Sequence, residues 1–391
     1  MQTAHANRET EPVEDAPPAA ARALRVAGID PERGFAGGET QALGLTLALV
    51  RAGHCAELIC DPAGELWTRA RAEGLRCHPL AIRNAIDAAA GMRLRAIIRR
   101  GHYDVVHFHT SRAHAMAPFV RGAARALVVT RRMDYRPNRL FAPLLFGRAV
   151  DCVIAISEGV AGSIAAAGVV RERIAVVPSG VDCERFRPPS PDERAHARAA
   201  LGIGAEEIVV AAVGALHQRK GHRFLIEAIA SHAETARLRC LIAGDGPLRN
   251  ELEAEIARLG CTARVRLLGR IGDPRELLRA ADIFAMPSLK EGLGVAALEA
   301  MACGLPVVAS AVGGLNEAVV NKRTGIIVAP ERSDELAAAI ARLAAASELR
   351  NEMGAAGRIR AVENYSMETM AAQTLALYRK CPGIRDAAGT E

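Results

Sequence analysis

The chain has few aromatic residues and very little lysine. Aromatics make up 3% of its 391 residues, and the lysines number four: Lys220, Lys290, Lys322 and Lys380. Alanine and small aliphatics supply the apolar half of the composition instead, enough for a large core. There is no uninterrupted apolar run of roughly 18 residues, so a membrane-spanning helix has no candidate segment. The nine cysteines form no Cys-x-x-Cys pair and do not cluster with histidine. That pattern argues against a zinc site and suits a reducing cytosol. No Asp-x-Asp pair occurs, so a carboxylate clamp for a metal has no basis. The dinucleotide fingerprint Gly-x-Gly-x-x-Gly and the Walker motif are missing too, and the first absence disfavours hydride transfer on a dinucleotide.

Charge is unevenly placed. Residues 22–187 carry 24 arginines against 15 acids, whereas residues 188–391 balance at 25 of each sign. A basic first half suggests an acidic acceptor or an anionic membrane surface. The alternative is arginine that only keeps the domain soluble. Residues 1–21 are polar, acidic and rich in Pro and Ala, with no apolar stretch of a signal peptide, and read as a disordered tail.

A chain of this length points to two domains. Short β-rich runs alternate with helical stretches, the pattern of an α/β protein. The first half offers strands at Leu24–Ile29, Ala56–Cys60, Val105–His109, Ala126–Thr130, Cys152–Ile156 and Ile174–Val177. The polar, proline-rich segment from Arg185 to Arg194 reads as a linker. A second series follows at Ile208–Val213, Leu238–Ala243, Val265–Leu268, Ile283–Met286, Val307–Ser310 and Ile326–Val328. Helices at Ser333–Ala346 and Met367–Arg379 close the chain. The division is therefore a first domain over 22–187, a second over 188–364, and a C-terminal helix and tail over 365–391 that packs back on the first domain. Ligands of open α/β sheets bind beyond the strand C-terminal ends, so two such domains would share a site in the cleft between them.

The most informative segment runs from Lys290 to Met301. Glu291 and Glu299 lie eight positions apart, separated by Gly292 and Gly294 and the start of an apolar run. The glycines allow close backbone approach to a ligand. A helix starting near Val295 presents N–H groups that favour an anion. Two carboxylates for hydroxyls and a helix end for a phosphate describe a sugar nucleotide; a plain loop and buried helix with solvated glutamates is the alternative. Gly37-Gly38-Glu39 follows the first strand and opens a helix, as a phosphate or substrate loop does. His107 and His109 share one face at the end of a strand, where hydrogen bonding to a sugar is favoured over metal binding. Arg219 and Lys220, beside Gly221 at a helix start, suit a diphosphate. Gly244-Asp245-Gly246 and the Gly313-Gly314…Glu317 loop end two further strands on the ligand side.

Together these residues resemble a retaining glycosyltransferase of family 4. The resemblance spans roughly residues 24–380. It rests on Gly37-Gly38-Glu39, His107-x-His109, Ile156–Gly159, Val177–Asp182, Lys220-Gly221, Gly244–Pro247 and Glu291-x7-Glu299 in that order. It implies the GT-B architecture: two Rossmann-like, doubly wound parallel-sheet domains facing across a cleft. It also implies roles. Glu291 contacts the donor sugar, backbone groups of Gly292, Leu293, Gly294 and Val295 hold sugar and diphosphate, and Glu299 binds ribose hydroxyls. Lys220 stabilises the departing diphosphate, His109 lies near the reacting sugar, and the Gly37–Gly38 loop approaches phosphates and acceptor. Glu39, Arg131 and Arg132 are candidate acceptor residues. One position departs: the family usually has arginine five residues before the lysine, where this chain has Ala215, with Arg219 a possible substitute.

The expected reaction moves a sugar from a nucleoside-diphosphate sugar, UDP-linked first and GDP-linked next, to a cell-envelope glycan or lipid-linked acceptor. Configuration is retained, and neither metal nor cofactor is needed. A small free or phosphorylated sugar as acceptor, or a weakened binding homologue, are the competing readings. Nucleic acid is not expected as a partner. The expected setting is the cytoplasm, at the inner face of the cell membrane. The segment Arg93–Arg100, with Leu94, Ile97 and Ile98 among its arginines, and the group Arg131, Arg132, Arg136 and Arg139 are the candidate membrane or phosphate contacts.

Overall fold

The computed structural model describes residues 22–133, 138–139, 142–231 and 237–384. The tail expected at 1–21, Arg136 and residues 385–391 lie outside them. The first sheet contains β1 (Arg25–Asp30), β2 (Cys55–Cys60), β3 (Cys77–Pro79), β4 (Val105–Phe108), β5 (Ala126–Arg131), β6 (Cys152–Ala155) and β7 (Ile174–Val176) in the order 3-2-1-4-5-6-7. The second contains β8 (Ile208–Val213), β9 (Leu238–Ala243), β10 (Val265–Gly269), β11 (Ile283–Met286), β12 (Val307–Ser310) and β13 (Gly325–Val328) in the order 10-9-8-11-12-13. Every strand pairing is parallel.

Parallel sheets are covered on both faces, and the strand residues alternate between two cores accordingly. In β5, Leu127 and Val129 join one cluster, while Ala126 and Val128 join the other. In β8, Val209 and Ala211 oppose Val210 and Ala212 in the same way. The strand order reverses between β1 and β4 in the first sheet and between β8 and β11 in the second. Crevices at such reversals, beyond the strand C-termini, hold ligands in α/β folds.

The Arg185–Arg194 segment is not a free spacer. Pro191 opens a helix over Pro191–Ala200, which Ser190 and Glu193 close with a reciprocal capping box. Arg358 donates to the Cys183 and Phe186 carbonyls at 2.9 and 2.8 Å. The chain crosses back at Tyr365–Met367, where Val181 N donates to Tyr365 O at 2.7 Å and Met367 N to Val181 O at 3.0 Å. The two crossings are thus bonded to each other. The helix Met367–Lys380 then packs on the helix Gly37–Arg51, with Met370, Ala371 and Tyr378 in one core with Leu45 and Leu49. Tyr378 Oη meets His107 Nδ1 at 2.6 Å in this core.

Candidate active site

A cavity of about 640 Å³ lies between the domains, at both strand-order reversals. Its first-domain wall includes Gly37 and Gly38 after β1, Arg132 and Met133 after β5, and Ser179 after β7. Its second-domain wall includes Gly214, Ala215, Arg219 and Lys220 after β8, and the run Lys290–Ala296 with Glu299 after β11. A larger cavity, about 870 Å³, lies on the far side of the second domain. Its charged lining is spent internally: Arg194 and Arg198 pair with Asp282, and Arg350 binds the Leu343 and Ala344 carbonyls.

Most of the donor-side residues expected from the sequence converge in the cleft: Gly37, Gly38, Arg219, Lys220, the run 291–295 and Glu299. Gly294 precedes the helix Val295–Ala302 in the left-handed conformation, at φ +88°, with no side-chain cap. A side chain there would collide with Leu315, so both backbone shape and space call for glycine. Val295 and Ala296 of the first turn line the cavity, where the positive end of the helix favours an anion. Lys220 Nζ donates to Glu291 Oε2 at 2.6 Å, and Ser288 Oγ reaches the same oxygen at 3.4 Å. Glu299, one turn into the helix, lines the cavity from the other side. Burial pushes its carboxyl up to about 7, with Arg185 drawing it down and Asp273 raising it further.

Gly244 and Gly246 are not in the cavity wall. Gly244, at φ +152°, has no room for a side chain against the Gly214 carbonyl. Gly246 packs on Leu216, whose N–H donates to Asp245 O at 3.0 Å. These glycines hold the Gly214–Leu216 loop, which itself does line the site through Gly214 and Ala215.

Three first-domain assignments change. Glu39 is buried and accepts the Ala36 N–H at 2.7 Å, so it caps the helix Gly37–Arg51 rather than facing an acceptor. Arg131, the last residue of β5, is buried and donates to Ser111 Oγ at 3.2 Å, away from the cavity wall. His109 is buried behind the wall, its ring 4.2 Å from that of His107. Burial, His107 and Arg132 hold His109 well below the usual histidine range, so it is neutral. Its Nδ1 has no hydrogen-bond partner among the described residues, whereas both nitrogens of His107 are bonded, to Tyr378 and Thr130. Arg132 remains as the first-domain cation in the wall, donating to Ser179 Oγ at 3.2 Å.

Ser179, Gly214 and Gln41 also line the cavity, although the sequence alone does not single them out. Gln41 lines the cavity and clamps Gly180 through both amide atoms, at 2.7 and 2.8 Å. Its position one turn into the Gly37 helix is the only signal. The supposed amphipathic surface at Arg93–Arg100 does not exist in that form. Leu94 and Ile98 are fully buried, and Arg95 binds the Phe119 and Arg121 carbonyls. Arg139 is likewise spent on the Ala166 carbonyl.

Two facing parallel-sheet domains with a cation, two glutamates and a helix N-terminus at their shared cleft define a GT-B glycosyltransferase. Residues 35–185 match the family model described as Glycosyltransferase Family 4, and residues 193–360 that of Glycosyl transferases group 1. The D-inositol 3-phosphate glycosyltransferase of Kribbella flavida is 32% identical over 335 residues, covering 78% of each chain. The alpha-maltose-1-phosphate synthase of Mycolicibacterium smegmatis is 36% identical over 59% of this chain and 64% of its own. The structure of Anabaena Alr3699/HepE in complex with UDP matches with a TM-score of 0.81 at 23% identity, over 90% of this chain and 99% of that one. This chain belongs to glycosyltransferase family 4, and it is a sugar-transferring enzyme.

Proposed function

We propose that the enzyme transfers a sugar from a UDP-sugar, with retention and without a metal, to an acceptor that carries a phosphate. The observation that carries this reading is the convergence of Lys220, Glu291, Glu299 and the Val295 helix terminus on one cavity. Lys220, Arg219 and the helix terminus supply positive charge where the diphosphate departs. Glu299 takes the ribose hydroxyls and Glu291 those of the sugar. Among the described residues, the first-domain wall contains no carboxylate or imidazole. None of those residues is thus placed to deprotonate an acceptor for attack from the opposite face, which favours attack on the departing face. The leaving phosphate oxygen then takes the acceptor proton. UDP is favoured because the structurally similar Anabaena protein was solved in complex with UDP.

Arg132 supports a phosphate on the acceptor: it is a cavity cation that makes no ion pair among the described residues. The two relatives named above carry sugar or inositol phosphates in their names, which fits a small phosphorylated acceptor. A lipid-linked envelope acceptor at a membrane surface is the second reading. It is favoured by Ile86 and Met92, 85% and 60% exposed, beside Arg83 and Arg93 on the first domain. No described helix is long and apolar enough to cross a membrane.

The test is transfer from UDP-glucose to inositol phosphate, hexose phosphates, their unphosphorylated forms and lipid extracts. Proton NMR of the product then gives the anomeric configuration. An α-linked product on phosphorylated acceptors supports the proposal. A β-linked product, or equal use of unphosphorylated acceptors, removes it.

A further inference from the structure

Glu317 belongs to the second domain but spends its carboxylate on the first. Its Oε2 accepts the Glu158 N–H at 3.0 Å and its Oε1 the Gly159 N–H at 3.2 Å. These are the first two amides of the helix Glu158–Ala165, which have no partner within their own helix. The third, Val160 N–H, is taken by the helix's own Ser157 Oγ at 3.2 Å. A carboxylate at a helix N-terminus also meets the positive end of the helix dipole. The Glu158 side chain is turned to Arg171, both oxygens bonded, so it does not compete with Glu317 at the cap.

The segment around Glu317 touches three things at once. Gly314 is pressed against the Gly292 carbonyl and Leu293 on one side and against Ser157 on the other, so a side chain there would collide with the donor loop. Leu315 packs under Gly294. The Glu317 carbonyl accepts from Arg360 Nη2 at 2.7 Å and Tyr365 Oη at 3.0 Å. Tyr365 is the residue whose own carbonyl bonds Val181 where the two chain crossings meet. One short segment therefore joins the loop that lines the donor site, the opposite domain and the crossing between domains.

We propose that Glu317 is a positioning residue for glycosyl transfer: its carboxylate caps the Glu158 helix of the first domain and so latches the cleft closed over the donor loop. The reading requires only that the cleft is the transfer site, and it is independent of which nucleotide or acceptor is used. Opening the cleft must break both bonds and free the carboxylate, and closing restores them. A substituted latch leaves Lys220, Glu291 and Glu299 in place but lets the domains part. Water then enters, and donor hydrolysis competes with transfer.

The experiment is hydrogen exchange of the full chain followed by mass spectrometry, with small-angle scattering, on wild type, Glu317→Ala and Glu158→Gln. Thermal unfolding confirms that each variant is folded. In Glu317→Ala, peptides spanning Ser157–Val160 should exchange about tenfold faster and the radius of gyration should rise. Glu158→Gln, which keeps both amides and the latch, should match wild type in both. A variant that merely loosened the second domain would speed exchange around Leu315 and leave 157–160 and the radius unchanged. That pattern, or wild-type exchange throughout, overturns the proposal. As a second readout, Glu317→Ala should hydrolyse UDP-glucose faster relative to transfer. Because the exchange and scattering need no nucleotide, a protein that ignores UDP would refute the donor assignment and leave this test intact.

Discussion

Lys220 Nζ lies 2.6 Å from Glu291 Oε2, and the two side chains are only 14% and 12% exposed. The pair joins the loop after β8 to the loop after β11, the two loops flanking the strand-order reversal. Its burial places it beyond strong screening by salt. Under the proposed function, a diphosphate entering the cleft would draw Lys220 toward it and free a Glu291 oxygen for a sugar hydroxyl, so one pair would serve both halves of the donor.

Removing either partner should therefore cost more than one contact. Lys220→Ala should lower kcat by about 10²–10³, the usual cost of losing a charge that stabilises the transition state. Glu291→Gln should fall by a similar order while still binding free nucleotide. Steady-state kinetics with UDP-glucose, set beside UDP binding by calorimetry, separate the two effects; equal losses in both variants for free UDP would contradict the division of roles.

Glu299 makes donor binding depend on pH. Its carboxyl is raised from 4.5 to about 7 in the free protein, chiefly by burial. Between those values the folded state holds a proton that the unfolded chain has lost, so this group's contribution to stability falls as pH rises from about 5 to 7. If Glu299 holds the ribose as proposed, the ionised form grips the diol and binding releases the proton. UDP affinity should then rise with pH up to about 7, by at most about tenfold per unit, and level off above. Glu299→Gln should remove that slope, apart from the nucleotide's own ionisation. An unchanged slope in the variant would assign the pH dependence to another group.

Arg132 predicts how acceptors are told apart. Arg132→Gln should raise KM for a phosphorylated acceptor by about 10–100-fold, the worth of one charge-assisted phosphate contact, with donor KM little changed. Unphosphorylated acceptors should not distinguish the variant from wild type.

The C-terminal helix is held by a buried polar pair as well as by apolar packing. Tyr378→Phe leaves His107 Nδ1 without its 2.6 Å partner in a fully buried setting, which should cost about 1–3 kcal/mol. Urea unfolding followed by circular dichroism measures it, and a cost near zero would mean that the pair contributes nothing net.

Much of this architecture was legible because parallel strands buried on both faces appear as short apolar runs, and twelve of them could be read off. The missed strand, β3, is three residues long and reads Cys-His-Pro, too short and too polar to stand out. Several helices did not stand out either, among them Ser347–Tyr365, whose Gly354 and Gly357 lower helix propensity. In the fold they give close packing: Gly354 abuts the Gly304 carbonyl and Gly357 abuts Met301. On the donor side, glycine loops and a helix start fix the cleft locally, so sequence order carried the geometry. On the acceptor side it did not. Glu39 and Arg131 stand next to site positions in sequence and His109 follows a strand end, but each turns inward to a cap, a hydroxyl or a buried ring. Strand alternation gives the face of a residue and not whether that face is open. Glu317 belongs to the same class, since its partners lie some 158 positions away in the other domain.

The most direct test of the account is thermal unfolding of wild type and Glu299→Ala against UDP, GDP and ADP, each with and without EDTA. A nucleotide bound at about 100 times its Kd stabilises the native state by about 2.7 kcal/mol. The account predicts a shift selective for UDP that persists in EDTA and is lost in Glu299→Ala. No shift with any nucleotide, or one that survives Glu299→Ala unchanged, would contradict the cleft around Lys220, Glu291 and Glu299 as the donor site.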